Sequence, residues 1–396
     1  MKRRDFVKNT ALASSMFMVP NFIRAFDDVL RKSIGYKRLV IIHLDGGNDG
    51  LNTLIPFRND IYYRNRPKLA ISKKEVLKLT DEVGFHNSLQ PLKKLYDQGN
   101  LCILNNVGYP NPDRSHFRST DIWQTASSSS QYLPTGWVGR YLDKFGDNTY
   151  NAIEIGDSLS LTLKGKNKNG IATTDAQRLF RTSQSPYFKE VLNQYQSDHL
   201  SEHNLGYLYK TMISAESSAK YIYETSKTFN TKQSYPNTAF SKQLKTTAKF
   251  INSGIDTKVF YTSLAGFDTH AGQAGQHSRL LKQYAEGIDS FVNDLQDNNT
   301  FNDTLILTFS EFGRRVEQNA ANGTDHGAAN NVFIIGKNLK TQGLYNRPDN
   351  LKDLDANGDI KFEIDFRTIY ATVLSKWLNA ADEEVLNHNF QKLDFI

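Results

Sequence analysis

Five short segments of the 396-residue sequence gather the side chains that ligate metals and carry protons. They are Asp45-Gly-Gly-Asn-Asp49, Arg114-Ser115-His116-Phe-Arg118, Gly266-Phe-Asp268-Thr-His270, Ser310-Glu311-Phe-Gly-Arg314 and Gly323-Thr-Asp325-His326-Gly327. Carboxylates mixed with imidazoles form the donor set of a divalent site of the zinc or manganese type. Asp45, Asp49, Asp268, His270, Glu311, Asp325 and His326 are therefore candidate ligands. Two such cations would stabilise the attacking and leaving oxygens of an in-line displacement at an ester. Taken singly, each segment also has a plain structural reading. Asp45-Gly-Gly can be a turn, Asp268 and His270 can be turn and capping groups, and His326 can be a hydrogen-bonded loop histidine. Taken together, their shared position after predicted strands points to one functional site.

Ser115, His116, Arg118 and Arg314 are the candidate catalytic residues. Ser115 precedes a helical segment over 117–126, where a serine serves as an N-cap. The same position aims a hydroxyl and the first backbone N–H groups of the helix at a shared anion, so a nucleophile or anion contact is the alternative. Arg114 and Arg118 flank it and could grip a phosphate or sulfate. Arg314 or Arg118 would stabilise charge on the transferring group.

The elements that must position these residues follow from the pattern. Short apolar runs predict strands at 38–44, 101–107, 258–264, 303–309 and 331–336. Helical spacing covers 87–98, 136–145, 187–229 with a break near 200–204, 240–251, 276–295 and 366–379. Strands alternating with helices predict an α/β fold, a doubly wound and mainly parallel sheet with helices on both faces. Ligands of such sheets bind beyond the C-terminal strand ends. A single domain over 36–396 accommodates all of it.

With 39% hydrophobic and 23% charged residues, the chain can bury a large core. No apolar run approaches the ~20 residues of a membrane-crossing helix, which excludes channels and transporters and predicts no stable membrane span. The single cysteine, Cys102, excludes an intramolecular disulfide and a cysteine-based zinc cluster. The net charge of +6 is scattered rather than gathered in blocks, so no nucleic-acid partner is expected. Residues 1–25 read as a twin-arginine-type export signal: Arg3-Arg4, Phe6, Val7 and Lys8 precede a weakly apolar stretch. The expected location is periplasmic or otherwise exported.

The segments at 44–53, 115–117, 266–270, 310–314 and 323–327, with Asp365-Phe366-Arg367, together resemble the DUF1501 family, a bacterial family of exported proteins of undefined function. The resemblance runs from about Arg38 to Asn379. Where relatives read Thr-Pro, this chain has Arg315-Val316; relatives often lack an acid at the place of Asp45, whereas the acid at Asp49 is typical. The family is similar to the alkaline phosphatase superfamily, which implies an alkaline-phosphatase-like domain with divalent metal at the strand ends. The resulting expectation is an exported metal-dependent hydrolase of phosphate or sulfate esters acting on a small ester or envelope glycan. The rival is a non-catalytic cell-envelope binding or assembly protein that keeps the fold. Asp353-Leu-Asp355-Ala-Asn357-Gly-Asp359 matches half of a calcium loop, but Ile364 stands at its twelfth position, so the segment reads as a plain turn. Cys102 lacks the neighbours of a formylglycine site, which argues against a sulfatase of that mechanism.

Overall fold

The continuous apolar run at 38–44 becomes the central strand, β1 (Arg38–Asp45), of a sheet covered on both faces. Leu39 and Ile41 face one side, while Val40, Ile42 and Leu44 face the other. All five are buried, as a strand inside a two-faced sheet requires. The computed structural model describes residues 36–194, 204–348 and 350–396. Residues 1–25, read above as an export signal, lie outside the described residues, as does the predicted helix break near 200–204. Arg38–Ile396 forms one compact unit.

The other strands in chain order are β2 (Leu54–Ile55), β3 (Leu77–Lys78), β4 (Gly84–Phe85), β5 (Leu101–Gly108), β6 (Ala152–Glu154), β7 (Ile171–Ala172), β8 (Val259–Ala265), β9 (Thr304–Phe309), β10 (Asn330–Ile335), β11 (Gly343–Leu344) and β12 (Ile364–Asp365). Nine of the twelve build the main sheet in the order β11-β5-β10-β9-β1-β8-β6-β7, with β12 also on β5; β2, β4 and β3 form a small separate sheet. β1 is parallel to both neighbours, with Leu39 opposite Val259 of β8 and Leu305 of β9. Only β10 runs against the rest of the main sheet, pairing antiparallel with both β5 and β9. β5 therefore points the same way as β9, β1 and β8. The C-terminal ends of these four strands share one rim, and they are the strands after which the polar segments lie.

One face is covered by the helices Gln90–Asp97, Ala239–Asn252 and Gln273–Asp297. The other carries His116–Thr125, Trp137–Phe145 and Phe366–Thr372. The helix that begins with His116 is pinned by aromatic packing. Trp123 stacks on Phe309 at the end of β9, with centroids 4.7 Å apart, and on Phe366 at 4.3 Å. Such pairs add roughly 0.5–1.5 kcal/mol beyond their buried area, and here they fix the helix against the strand that leads into Glu311.

The sequence pattern located the long strands but not β6, β7, β11, β12 or the small sheet. These have two or three residues each, too few for a period-2 pattern to emerge. The predicted helix over 187–229 is described as two, Pro186–Gln194 and Asn204–Ser226. The helix predicted over 366–379 is α-helical only to Thr372 and continues as a π-helical turn over Val373–Trp377, and a short helix, Asp382–Leu386, follows it. Among the described residues no helix is long and apolar enough to cross a membrane.

Candidate metal centre

Two glycines let the rim close. Gly46 (φ +116°) and Gly47 (φ +74°) follow β1 in conformations that favour residues without a Cβ. A Cβ on Gly46 would lie 2.4 Å from the backbone nitrogen of Asp268, and one on Gly47 would lie 2.4 Å from the Phe312 ring. The turn after β1 can thus pass directly against the turns after β8 and β9. The segment after β9 then doubles back on itself. Gly313 donates to Ala328 and Arg315 to Asp325, at 3.0 Å each, and Gly327 donates to Gly313 at 2.8 Å. This return places His326 opposite Arg314.

The result is a run of imidazoles and carboxylates along the rim. His116 Nδ1 lies 2.8 Å from Glu311 Oε1. His326 Nδ1 lies 2.7 Å from the carbonyl oxygen of Arg114. His270 Nδ1 lies 3.0 Å from Asp325 Oδ1. Each Nδ1 meets an acceptor, so each must carry the proton that donates to it, and each ring offers its Nε2. The three Nε2 atoms converge on Asp268 Oδ1, at 3.4 Å from His116, 3.0 Å from His270 and 3.4 Å from His326. His116 Nε2 is buried and has no hydrogen-bond partner. Phe312 forms an apolar shelf beneath the site, with centroids 4.8 Å from His116 and 4.7 Å from His326.

This arrangement fits a divalent cation. Metal-binding histidines commonly donate their second N–H to a carboxylate or carbonyl, which sets the tautomer and aims the ring. Two imidazoles and one carboxylate make a three-residue donor set of the kind that holds a divalent ion, and the Nε2 of a third imidazole, His270, lies 2.8 Å from that of His326. His116, Asp268 and His326 have ligand atoms within 4.8 Å of one another, and His270 faces the same oxygen. The electrostatics agree with a ligand role at Asp268 and His326. Burial would raise the Asp268 carboxyl, but the buried Arg314 beside it outweighs burial and keeps it ionised below the usual range. Burial lowers the His326 imidazole, which keeps it neutral. The hydrogen bond to Glu311 raises His116. Asp325 is held low by its hydrogen bonds from Asn319 and His270.

A second group, His43, Asp45 and Glu311, also brings ligand atoms within 4.8 Å. It is chemically closed. The Glu311 carboxylate accepts from His116, from the backbone of Gly46 at 3.0 Å, and from His43 Nε2 at 3.0 Å. His43 thereby spends its Nε2 on the carboxylate, and its ring stacks on Phe309. Burial would raise the Glu311 carboxyl, but hydrogen bonds from the two histidines hold it well below the ordinary range. Glu311 acts here as the anchor of His116. Asp45, at the end of β1, accepts from Phe267 through its backbone carbonyl at 3.1 Å, and its carboxylate borders this group. His43 escaped the sequence reading because it lies inside the apolar run of β1. Its one signal was a polar side chain interrupting that run.

Three expectations need correction. Asp49 does not reach the rim cluster. Its buried carboxylate pairs with Arg66 Nη1 at 2.6 Å, accepts from Gln273, and caps the backbone of Asn52. Burial would raise this carboxyl, but Arg66 and His277 outweigh it and keep Asp49 charged. Arg314 is not available to a substrate. It donates to the carbonyls of Gly47, Gly46, Thr324 and Phe267 and to Asp268, lacing three rim turns together. Arg118 is likewise engaged, by the carbonyls of Ser128, Ser129 and Gln131 and by the Tyr132 ring 3.8 Å away. Arg114 pairs with Asp359. Ser115 does occupy the N-cap position, yet its side chain makes no capping bond, and the residue is exposed.

The signature of one family, described as "Protein of unknown function (DUF1501)", matches residues 36–390. The chain belongs to the DUF1501 family. No curated protein matches it. Among solved structures, this DUF1501 chain is similar to Ps i-CgsB, with a TM-score of 0.43 and 10% identity over 90% of this chain and 75% of that one. It is similar to the PsFucS1 sulfatase from Pseudoalteromonas sp., with a TM-score of 0.41 and 13% identity over 92% and 72% of the two chains. The C-terminal periplasmic domain of EcEptC from Escherichia coli, in complex with Zn, gives a TM-score of 0.38 and 12% identity over 76% and 73%. At this distance the chemistry has to be read from the chain's own residues.

The polar network around Asp49 gives the DUF1501 fold a pH dependence. His277 is buried beside Asn48 Oδ1, 3.0 Å away, and burial lowers its pKa from 6.5 to about 4. Between these values the unfolded chain holds a proton that the folded protein does not. Stability therefore falls as pH drops from 6.5 to 4, by up to about 3 kcal/mol from this group. Denaturant melts at pH 7 and pH 5 should show about 2 kcal/mol of that loss, and His277→Gln should reduce it. An equal loss in wild type and variant would assign the slope to other groups.

Proposed function

We propose that this protein is an exported, metal-dependent hydrolase of phosphate or sulfate esters, with His116, Asp268, His270 and His326 as the ligands of a divalent cation. The observation that carries the reading is the shared orientation of three imidazoles. Each Nδ1 faces an acceptor, and each Nε2 faces the same carboxylate oxygen. Such convergence without a cation leaves lone pairs facing a negative charge, which a divalent ion would neutralise. A cation held there supplies Lewis acidity toward a phosphoryl or sulfuryl oxygen. Glu311, Asp325 and the Arg114 carbonyl orient the rings, and Arg314 fixes Asp268.

Ser115 is the proposed nucleophile. It is exposed, adjoins His116, and opens a helix of ten residues whose first backbone N–H groups have no partner within the helix. Those groups and the helix dipole favour an anionic ester group beside the hydroxyl. Because the hydroxyl makes no capping bond, Ser115→Ala should change stability by less than about 0.5 kcal/mol. The same variant should lose turnover of aryl phosphate or aryl sulfate esters. Full activity in Ser115→Ala would remove the serine from the reaction and leave a water molecule as the attacking group.

Export rests on the Arg3-Arg4 signal pattern and its weakly apolar continuation. Replacing both arginines by lysine should leave the protein in the cytoplasm on fractionation; unchanged export would overturn the assignment. The rival, a cell-envelope binding protein without turnover, is favoured by one observation. Arg114, Arg118 and Arg314, the cations nearest the rim motifs, are all bound to protein groups. Retained metal with no hydrolysis across an ester panel would select that reading.

A further inference from the structure

The calcium-like segment at 353–359 binds arginines, and those arginines lead back to the rim. Asp359 is fully buried. Its Oδ2 accepts from Arg114 through Nε at 2.9 Å and through Nη2, and its Oδ1 lies 3.2 Å from Arg315 Nε. The loop that presents it is braced from within. Asp355 Oδ1 accepts from the backbone nitrogens of Asn357 at 2.8 Å and Asp359 at 2.9 Å, and Leu354 bridges to Ile360. Arg315 Nη2 also donates to the Asn357 carbonyl.

The two clamped arginines have one thing in common. The backbone carbonyl of Arg114 accepts from His326 Nδ1 at 2.7 Å. The backbone N–H of Arg315 donates to the carbonyl of Asp325 at 3.0 Å. One buried carboxylate therefore holds, through two side chains, the two backbone groups that border Asp325 and His326. We propose that Asp359 is a positioning residue of the metal centre, fixing the tautomer and aim of His326 through Arg114 and the placement of Asp325 through Arg315. This rests on the metal reading above. It also accounts for the calcium-like spacing: the acids of this loop meet guanidinium groups, with Asp355 3.5 Å from Arg114 as well.

The argument for an effect at the metal is geometric. Arg114 and Arg315 are partly exposed, so without Asp359 each keeps a single weaker partner, Asp355 or the Asn357 carbonyl, and competes with water for it. The backbone around Arg114 would then be held only by its neighbours, and the His326 ring would lose its fixed acceptor. Outer partners of metal ligands typically contribute about 10–100-fold to metal affinity.

The test uses the metal-stripped full-length protein titrated with cobalt(II), read by visible absorption, with thermal melts of each metal-free variant. Asp359→Asn should bind cobalt about 10–100-fold more weakly and show a changed absorption envelope. Asp353→Asn, in the same loop but paired with Lys361 rather than with Arg114 or Arg315, should match wild type. A folded Asp359→Asn with wild-type affinity and spectrum overturns the proposal while leaving the metal reading intact. If Asp359→Asn fails to fold, Arg114→Gln decides. It keeps the backbone carbonyl but cuts the clamp, so weaker cobalt binding supports the proposal and unchanged binding and spectrum overturn it. A folded wild type that takes up no cobalt overturns the metal reading and this proposal together.

Discussion

Glu311→Ala is expected to cost about 3–5 kcal/mol of folding stability and to empty the metal centre. The first effect follows from burial: the side chain is fully enclosed, with its charge neutralised by donors from His43, His116 and Gly46. Removing one partner of a buried charge network leaves the others unsatisfied, which carries a cost of that size. The second follows from orientation. His116 Nδ1 loses its acceptor, so its Nε2 is no longer directed at Asp268. Sequence reasoning treats Glu311 as a rim ligand, whereas the structure buries it as the acceptor that orients His116. Urea melts and metal analysis of the purified variant measure both effects. A variant as stable as wild type, with unchanged metal content, would show that the Glu311–His116 contact organises nothing.

His326→Ala should do the opposite on the stability axis. The side chain is about one-fifth exposed and sits in a rim loop rather than the core. Its loss should cost less than that of Glu311, because the side chain is neutral, partly exposed and not part of a fully enclosed charge network. Metal affinity should fall by more than the roughly 100-fold attributed to an outer partner, because a direct ligand is gone. Zinc competition against a chelator gives the affinity, and a thermal melt gives the stability. Wild-type affinity in this variant would exclude His326 from the centre. The contrast between the two variants separates an anchor from a ligand, which composition alone cannot do: both are polar residues in neighbouring rim motifs.

The long strands were legible because burial on both faces demands mostly apolar runs, as at 39–44 and 304–309. The convergence of rim segments was also legible, since β1, β5, β8 and β9 point the same way. What could not be read was how each polar group is spent. Asp49 and Asp268 look alike in sequence, but one is sealed against Arg66 while the other is about half exposed beside three imidazoles. Arg314 and Arg118 have the charge to hold a transferring group, but carbonyls distant in sequence consume it. His43 was hidden inside a strand whose pattern reads as pure core. These distinctions depend on contacts across as many as 268 positions, as between His43 and Glu311, and no local pattern reports them.

The most direct measurement is a zinc titration of the metal-stripped full-length protein, with stoichiometry determined by elemental analysis after gel filtration. In the His116, Asp268, His270 and His326 set the Nε2 atoms of His270 and His326 lie 2.8 Å apart and face Asp268, where a cation would take the place of a shared proton, while the His43–Glu311 group is satisfied by its own hydrogen bonds. The expected result is one tightly held equivalent per chain, lost in His326→Ala. A folded wild type that retains no zinc, or one that retains two equivalents with equal affinity, would contradict this account of the rim.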